Sequence, residues 1–181
     1  RSLEQIASEL NRQLTVRKDF LASSECLKME VVDCFNSDEK TLQISGINGQ
    51  SLGITQHAHT QFAERLSIPK KYYDRMKNED PELLVHNVNT WLHKEPEKKL
   101  VRTLDFNVRA FLSSSYRPLD NYDLAETALP ILSEKKCNIM SAELTETRMY
   151  IKAVLPSLQT EIQGSRQKGD VIQAGIVISN S

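Results

Sequence analysis

The sequence KLVRTLDFNVRAFLS, residues 99–113, decides the fold class because it holds two β-like runs, 99–104 and 107–113, with a connection of two residues. A connection this short joins antiparallel neighbours. In the second run the side chains alternate: Phe106, Val108, Ala110 and Leu112 share one face, and Asn107, Arg109 and Phe111 share the other. The segment therefore predicts an antiparallel hairpin.

Further β-like runs lie on both sides of this hairpin. They cover residues 27–54, 138–144, 148–155, 158–162 and 171–179. Turns are predicted at residues 36–38, at Asn48-Gly49, whose residues both tolerate positive φ, and at residues 164–170. The chain has no regular strand–helix–strand rhythm of the kind that indicates a parallel sheet. We therefore predict an α+β fold with a mostly antiparallel sheet, in a single domain over residues 1–181.

Helical patterns occupy two segments outside the middle of the chain. Ser2 and Gln5 form a capping-box pattern before a helix over residues 3–14. A second such helix begins at Asp120, and we expect Pro130 to end or kink it.

The middle of the chain, residues 55–93, predicts three short helices inserted between the N-terminal and C-terminal strands. Their starts are marked by Thr55, by Pro69 and by the Asp80-Pro81 pair, which combines a capping side chain with a first-turn proline. The predicted core includes Leu84, Val88 and Trp91 from the third helix, with Met149 and Ile151 from a later strand.

The charge balance limits the classes of partner. Lys and Arg total 23 and Asp and Glu total 24, which gives a net charge of −1. A global field that attracts DNA or membranes is thus excluded, and any polyanion site has to be a local patch. No apolar run approaches the roughly 20 residues of a membrane helix, and the first residues do not resemble a secretory leader. We expect a soluble protein without a membrane partner.

Cysteine usage favours a reducing compartment. Cys26, Cys34 and Cys137 form an odd set without Cys-x-x-Cys spacing, unlike the framework of a secreted disulfide-rich domain. We predict that all three are reduced, buried thiols and that the protein is cytoplasmic.

No catalytic, phosphate-binding or metal motif is present in the sequence. His57 and His59 are two residues apart, so on a helix they point in different directions. His86 and His93 share a helix face, but no further ligand type joins them at matching spacing. We predict no catalytic residue, metal or cofactor, although an enzyme site assembled from scattered polar residues stays open.

The clearest candidate interface is the strand around Tyr150. Its core-facing residues are Thr147, Met149, Ile151, Ala153 and Leu155. Arg148, Tyr150 and Lys152 point the other way, and cations beside an aromatic ring hold phosphates while a base stacks on the ring. Arg109 and Phe111 offer a similar face if their strand is a neighbour. We predict that these five residues bind single-stranded DNA; the same alternation is also typical of an ordinary amphipathic strand with solvated cations.

A second candidate for DNA binding is the segment 63–76, which loosely resembles a helix-turn-helix. Pro69 opens the second helix, which carries Lys70, Lys71 and Arg75. The alternative is an ordinary helix pair with a solvated basic face.

Several short sequence motifs resemble those of a known family. They are FAERLSIP at 62–69, RTL at 102–104, RAFLS at 109–113, YRPLDN at 116–121, and further on Gly169-Asp170, Gly175 and Ser179-Asn180-Ser181. In order and spacing, from residue 55 to residue 181, they resemble the phage- and plasmid-related family catalogued as domain of unknown function 932.

The resemblance implies no established reaction; by analogy it implies service in recombination, replication or host takeover. We therefore expect a non-enzymatic, DNA-associated accessory protein whose partners are single-stranded DNA and host or phage proteins. The alternative is an interaction or regulatory module with no nucleic-acid role. Because the chain stops directly after an apolar strand and the family's sequences continue further, we also expect it to be a fragment of a longer protein.

Overall fold

The computed structural model describes residues 2–33, 40–161 and 171–180. Cys34 and the turns predicted at 36–38 and 164–170 lie outside the described residues. The helices are α1 (Leu3–Val16), α2 (Gln56–Arg65), α3 (Lys70–Glu79), α4 (Pro81–Lys94) and α5 (Asn121–Glu134). The strands are β1 (Lys18–Ser23), β2 (Lys28–Asp33), β3 (Lys40–Ile47), β4 (Gln50–Ile54), β5 (Lys98–Leu104), β6 (Asn107–Ser113), β7 (Asn138–Leu144), β8 (Met149–Glu161) and β9 (Val171–Asn180).

These strands form two sheets among the described residues. The first has the order β1-β5-β6-β4-β3-β2, and all its neighbours are antiparallel except β4 and β6. The second has the antiparallel order β7-β8-β9. The helices α2 to α4 connect β4 to β5, and this long crossover is what allows β4 and β6 to run parallel. The predicted α+β class, mostly antiparallel with an inserted helical segment, is confirmed.

Local capping residues set the helix boundaries as predicted. The Ser2 amide donates to Gln5 Oε1 at 3.1 Å while the Gln5 amide donates to Ser2 Oγ at 3.2 Å, which is a capping box at the start of α1. Thr55 Oγ1 accepts from the Ala58 amide, and Asp80 Oδ1 accepts from the Leu83 amide. Within the described residues, no helix has the length and apolarity needed to cross a membrane.

Three local features differ from the prediction. Strand β1 was not predicted. α5 continues through Pro130 to Glu134, so of the two outcomes predicted there only the end of the helix is contradicted; Pro130 is exposed, and water can solvate the carbonyl that loses its partner. β8 is one strand where two were predicted, with a register shift between Leu155 and Gln159.

The chain divides into two compact units, and the single domain over residues 1–181 stays a prediction. Unit 2 is the continuous segment Val16–Arg117, whereas unit 1 combines Arg1–Thr15 with Pro118–Ser181. The core of unit 2 contains Leu27, Met29, Ile44, Phe62, Tyr73, Leu84, Val88, Leu92, Val101 and Phe111. The core of unit 1 contains Ile6, Leu10, Ala125, Leu132, Ala142, Met149, Ile151 and Ala153. Two cores arise because α1 packs with elements that follow it by more than 100 residues, a pairing that local patterns do not reveal.

Candidate nucleic-acid interface

Tyr150 and Lys152 lie on the outward face of β8 in unit 1, and Arg148, the third residue of the predicted group, directly precedes this strand. Met149 and Ile151, which alternate with them, are both 0 % exposed. Arg148 and Lys152 are exposed, and Tyr150 is partly exposed. The predicted alternation is therefore present from Arg148 to Lys152, with the apolar side chains inward and the two cations outward around the ring. Thr147, which was predicted to face the core, is exposed.

The inward side of this sheet is covered by helices. Ile6 and Leu10 of α1 and Ala125 and Leu132 of α5 belong to the same core cluster as Met149 and the other inward residues of β7 and β8. Because the helices lie on this side, the opposite side of β7-β8-β9 carries the outward residues. A half-covered antiparallel sheet of this kind presents polar and amphipathic side chains on its open face.

The strand register identifies the neighbours of Tyr150 on the open face. Glu143 of β7 and Ser179 of β9 are its direct partners, and directly paired residues share a face. Arg148 Nη1 donates a hydrogen bond to Tyr150 Oη at 3.0 Å, so the guanidinium lies at the hydroxyl end of the ring. Around the ring, one carboxylate therefore lies near two cations. We name this group of Arg148, Tyr150, Lys152 and Glu143 the Tyr150 face.

The residues paired directly with Lys152 are uncharged. Its partners are Ser141 on β7 and Val177 on β9, whose side chain is 63 % exposed. Lys152 makes no ion pair with the described residues. Its ammonium group is thus available to an external anion.

Arg109 and Phe111 do not belong to the Tyr150 face, so their predicted place there is wrong. They lie on β6, which pairs with β5 and β4 in the sheet of unit 2, whereas β8 pairs with β7 and β9. The register passes from Arg102 opposite Ala110 to Thr103 opposite Val108, which leaves Arg109 as the extra residue of a β-bulge.

The bulge changes which side chains face the core. Val108 and Phe111 are three residues apart, yet both are 0 % exposed members of the same core cluster. A regular strand would place the two side chains on opposite faces, and the extra residue of the bulge brings both to the same face. The Phe111 ring stacks on Phe62 with centroids 4.2 Å apart and planes 16° apart, so it cannot receive a base. Phe106, which was predicted to share the face of Val108, lies in the turn and is 79 % exposed.

A cleft of about 480 Å³ in unit 2 is the site that sequence reasoning missed. It lies beside the turn between α2 and α3 and the end of α4. Trp91 lines it and is 44 % exposed, so the prediction that Trp91 is buried is wrong. Leu84, Val88 and Leu92 form the buried stripe of α4, and Trp91 lies at its margin near the helix end. The spacing of Trp91 and Lys94, one helical turn apart, is a signal that could have identified this surface.

The helix pair that resembles a helix-turn-helix has a partly neutralised second helix. Lys70 pairs with Asp74, and Arg75 Nε bonds to Glu79 Oε2 at 2.8 Å. Lys71 is exposed and has no ion pair with the described residues. Lys77, the other lysine of this helix without an ion pair among the described residues, donates to Gln56 Oε1 at 2.7 Å. Two such lysines are a weak basis for a recognition helix, which normally contacts bases and phosphates through several side chains.

A buried polar pair lies between α2 and α3. His59 and Tyr73 are 4 % and 0 % exposed, and His59 Nδ1 lies 2.8 Å from Tyr73 Oη. Burial, followed by the charges of Lys77 and Lys70, lowers the pKa of His59 from 6.5 to about 4, with an opposing effect from Asp74. Burial also raises the pKa of Tyr73 above its ordinary value. At neutral pH both groups are uncharged, and their hydrogen bond satisfies two buried polar atoms.

The cysteine and histidine side chains that were considered as metal ligands do not come together among the described residues. Cys26 is exposed rather than buried, because it ends the short 3₁₀ turn before β2, and Cys137 is half-buried. His93 Nε2 lies 2.8 Å from the Leu27 carbonyl oxygen, to which it donates. In the ranges that the structure describes, no three His, Cys, Asp or Glu side chains converge in the way a metal ion requires.

Comparisons of the chain with protein-family models, curated proteins and solved structures found no match. The resemblance to the phage- and plasmid-related family therefore stays an expectation.

Proposed function

We propose that this protein is a non-enzymatic accessory protein that binds single-stranded DNA on the Tyr150 face. The observation that carries the proposal is the placement of one aromatic ring between two outward cations on the open side of a helix-backed sheet. Bases of any type stack on an aromatic ring, while cations beside it pair with the phosphates. Binding on such a surface has little sequence preference.

The charges of the face determine how strong this binding is. With a net charge of −1 for the chain, attraction has to come from Arg148 and Lys152 themselves. Glu143 opposes them from the position directly beside Tyr150. Two phosphate contacts to a single strand give a slope of about −1.4 for log K against log salt concentration. We therefore expect weak binding that is measurable at low salt.

The first test is the ring. In fluorescence anisotropy with a labelled single-stranded oligonucleotide, Tyr150→Ala should weaken binding by about 1–3 kcal/mol, because a stacked base contributes about that much. Tyr150→Phe is the matched control, since it keeps the ring and removes only the hydroxyl that accepts from Arg148. An equal loss in both variants would mean that the hydroxyl, and not stacking, is responsible.

The second test is a pair of charge changes with opposite expected signs. Lys152→Gln should weaken binding and reduce the salt slope by about 0.7, which corresponds to one lost phosphate contact. Glu143→Gln should strengthen binding, because it removes the carboxylate next to the ring. The proposal fails if no binding is seen at low salt with protein at tens of micromolar, or if these substitutions leave the affinity unchanged.

A protein-interaction module is the second candidate, and the surface of β9 favours it. β9 pairs only with β8 among the described strands and carries the exposed side chains Val171, Ile172 and Val177. An apolar edge strand is a common docking site for another chain. Val177→Thr should release a host or phage protein that co-purifies with the chain. The same substitution should leave oligonucleotide binding intact, which separates the two candidates.

A cytoplasmic location and an origin in a mobile element both fit this proposal. Cys26 and Cys137 are both free thiols, and Cys26 is accessible to oxidation. An accessible free thiol is typical of a reducing compartment. The resemblance to phage- and plasmid-related proteins supports the same setting.

A further inference from the structure

The cleft in unit 2 that Trp91 lines, named here the Trp91 cleft, has the turn between α2 and α3 as one of its walls. The Ile68 amide donates to the Ala63 carbonyl at 2.9 Å, and Ser67 adopts a positive φ of 55°, which together close the end of α2. Ile68 is 7 % exposed and anchors this turn in the core. The turn and the end of α4 therefore form fixed walls. The cleft volume of about 480 Å³ lies within the range of about 300–1,000 Å³ that is typical of small-molecule sites.

Two large aromatic rings remain exposed in these walls. Trp91 and Tyr72 both line the cleft and are 44 % and 45 % exposed, although the neighbouring Tyr73 and Leu92 are 0 % exposed. Covering an exposed ring with an apolar or aromatic partner is favourable by roughly 25 cal/mol per Å². A flat ligand that stacks on Trp91 would gain this free energy without rearranging the fold.

The charged side chains of the lining favour an anion. Lys94 Nζ lies 4.7 Å from the centroid of the Trp91 ring. Neither Lys94 nor Arg65 makes an ion pair with the described residues. Lys99 is bonded to Glu97 at 2.5 Å, and this contact lowers the pKa of Glu97.

The remaining carboxylate of the lining is Glu95. The Lys99–Glu97 pair cancels internally, so Arg65 and Lys94 outnumber Glu95. The cleft thus combines open aromatic surface with an excess of one positive charge.

We propose that this cleft binds an unpaired nucleotide, with the base stacked on Trp91 and the phosphate paired with Arg65 and Lys94. A nucleotide matches both properties of the cleft, because it carries a flat ring and an anionic group in one small molecule. A purine base covers more of the indole than a pyrimidine does, so purine nucleotides should bind better. This site lies in unit 2 and does not depend on the Tyr150 face in unit 1.

The chain offers a direct probe, because Trp91 is its single tryptophan. The probes are adenosine monophosphate, adenosine, ribose phosphate and a single-stranded oligodeoxyadenylate. Stacking should shorten the fluorescence lifetime of Trp91, a readout that absorption of light by the nucleotide does not distort. Adenosine monophosphate should give a saturable change with a Kd of about 1 mM or tighter. Adenosine should bind more weakly, and ribose phosphate should cause no change.

The charge variants locate the phosphate. Arg65→Gln and Lys94→Gln should each weaken binding of the mononucleotide about fivefold or more, while Lys71→Gln, on the neighbouring helix but outside the lining, is the matched control. Far-ultraviolet circular dichroism checks that each variant keeps its fold. Calorimetry with Trp91→Leu provides a readout that does not need the fluorophore, and binding there should be lost.

The outcomes distinguish a free nucleotide from a base within a strand, and they distinguish binding at this cleft from binding at the Tyr150 face. A lifetime change with the mononucleotide identifies a free nucleotide as ligand, and a change with the oligonucleotide alone identifies a base within a strand. Tyr150→Ala should leave either change intact. No saturable change with any nucleotide at about 5 mM, or a change that is indifferent to both charge variants, overturns the proposal even if the Tyr150 face binds DNA.

Discussion

Replacing Phe111 with alanine tests the most consequential departure from the sequence prediction, the bulge at Arg109. The Phe111 side chain is 0 % exposed, and its ring stacks on Phe62 at 4.2 Å. Removal of a ring from such a site costs about 3–5 kcal/mol, from lost transfer free energy and from the cavity that remains. Phe106→Ala is the matched control, because Phe106 lies in the same hairpin but is 79 % exposed. Its effect should stay within about 0.5 kcal/mol.

The assay is urea unfolding followed by tryptophan fluorescence. Trp91 is the single tryptophan and lies in unit 2 together with Phe111, so its signal reports the unfolding of the relevant core. A loss of about 3–5 kcal/mol is a large part of the roughly 5–15 kcal/mol that stabilises a domain. Phe111→Leu therefore serves as a milder variant that should cost less than about 1.5 kcal/mol, since it keeps most of the apolar volume.

One result would refute this reasoning. If Phe111→Ala unfolds at the urea concentration of the unmodified protein while its affinity for DNA falls, the Phe111 ring faces solvent. The bulge would then be absent, and Phe111 would belong to a binding surface as the regular alternation of β6 predicts.

Two further predictions concern stability. Because burial lowers the pKa of His59 from 6.5 to about 4, the unfolded chain binds a proton between these values that the folded chain does not. Stability should therefore fall as the pH drops from 6.5 towards 4 and level off below, and His59→Gln should reduce this dependence in urea titrations; an unchanged slope would contradict the assignment. Gly46→Ala should prevent folding or destabilise severely, because its Cβ would lie 1.8 Å from the Cys26 carbonyl oxygen at a φ of +90°. Gly49→Ala, at a φ of +72° with open space around it, should cost only about 1–2 kcal/mol, and equal thermal midpoints for the two variants would show that the close approach is not rigid.

The parts of the fold that sequence predicts well are those set by neighbours along the chain. Ser2 and Gln5 cap each other because they are three residues apart, and Asn48 and Gly49 both adopt the positive φ that a type I′ turn needs. The alternation from Arg148 to Lys152 is equally local, so the Tyr150 face could be predicted in outline. Its neighbour Glu143 could not, because the register of β7 against β8 is a tertiary property.

The predictions that were wrong failed because they concern features that tertiary structure decides. An added residue such as Arg109 leaves no mark on the sequence, since it obeys the ordinary alternation until the strand is paired. Trp91 follows Val88 at helical spacing, and only the end of the core beneath α4 leaves its ring open. The residues of α1, α5 and β8 share one core cluster, and no window of sequence contains all three elements.

The discontinuity of unit 1 has a consequence for how the protein is made. Helix α1 leaves the ribosome long before α5 and β8, which share its core cluster, since the whole of unit 2 is translated before either of them. At about 5–20 residues per second, translation of Val16–Arg117 takes roughly 5–20 seconds. During that time Ile6 and Leu10, which end fully covered in the native core, have no native partner. A chaperone that holds short apolar helices on nascent chains would therefore act on this protein at α1, before any other surface of unit 1 exists.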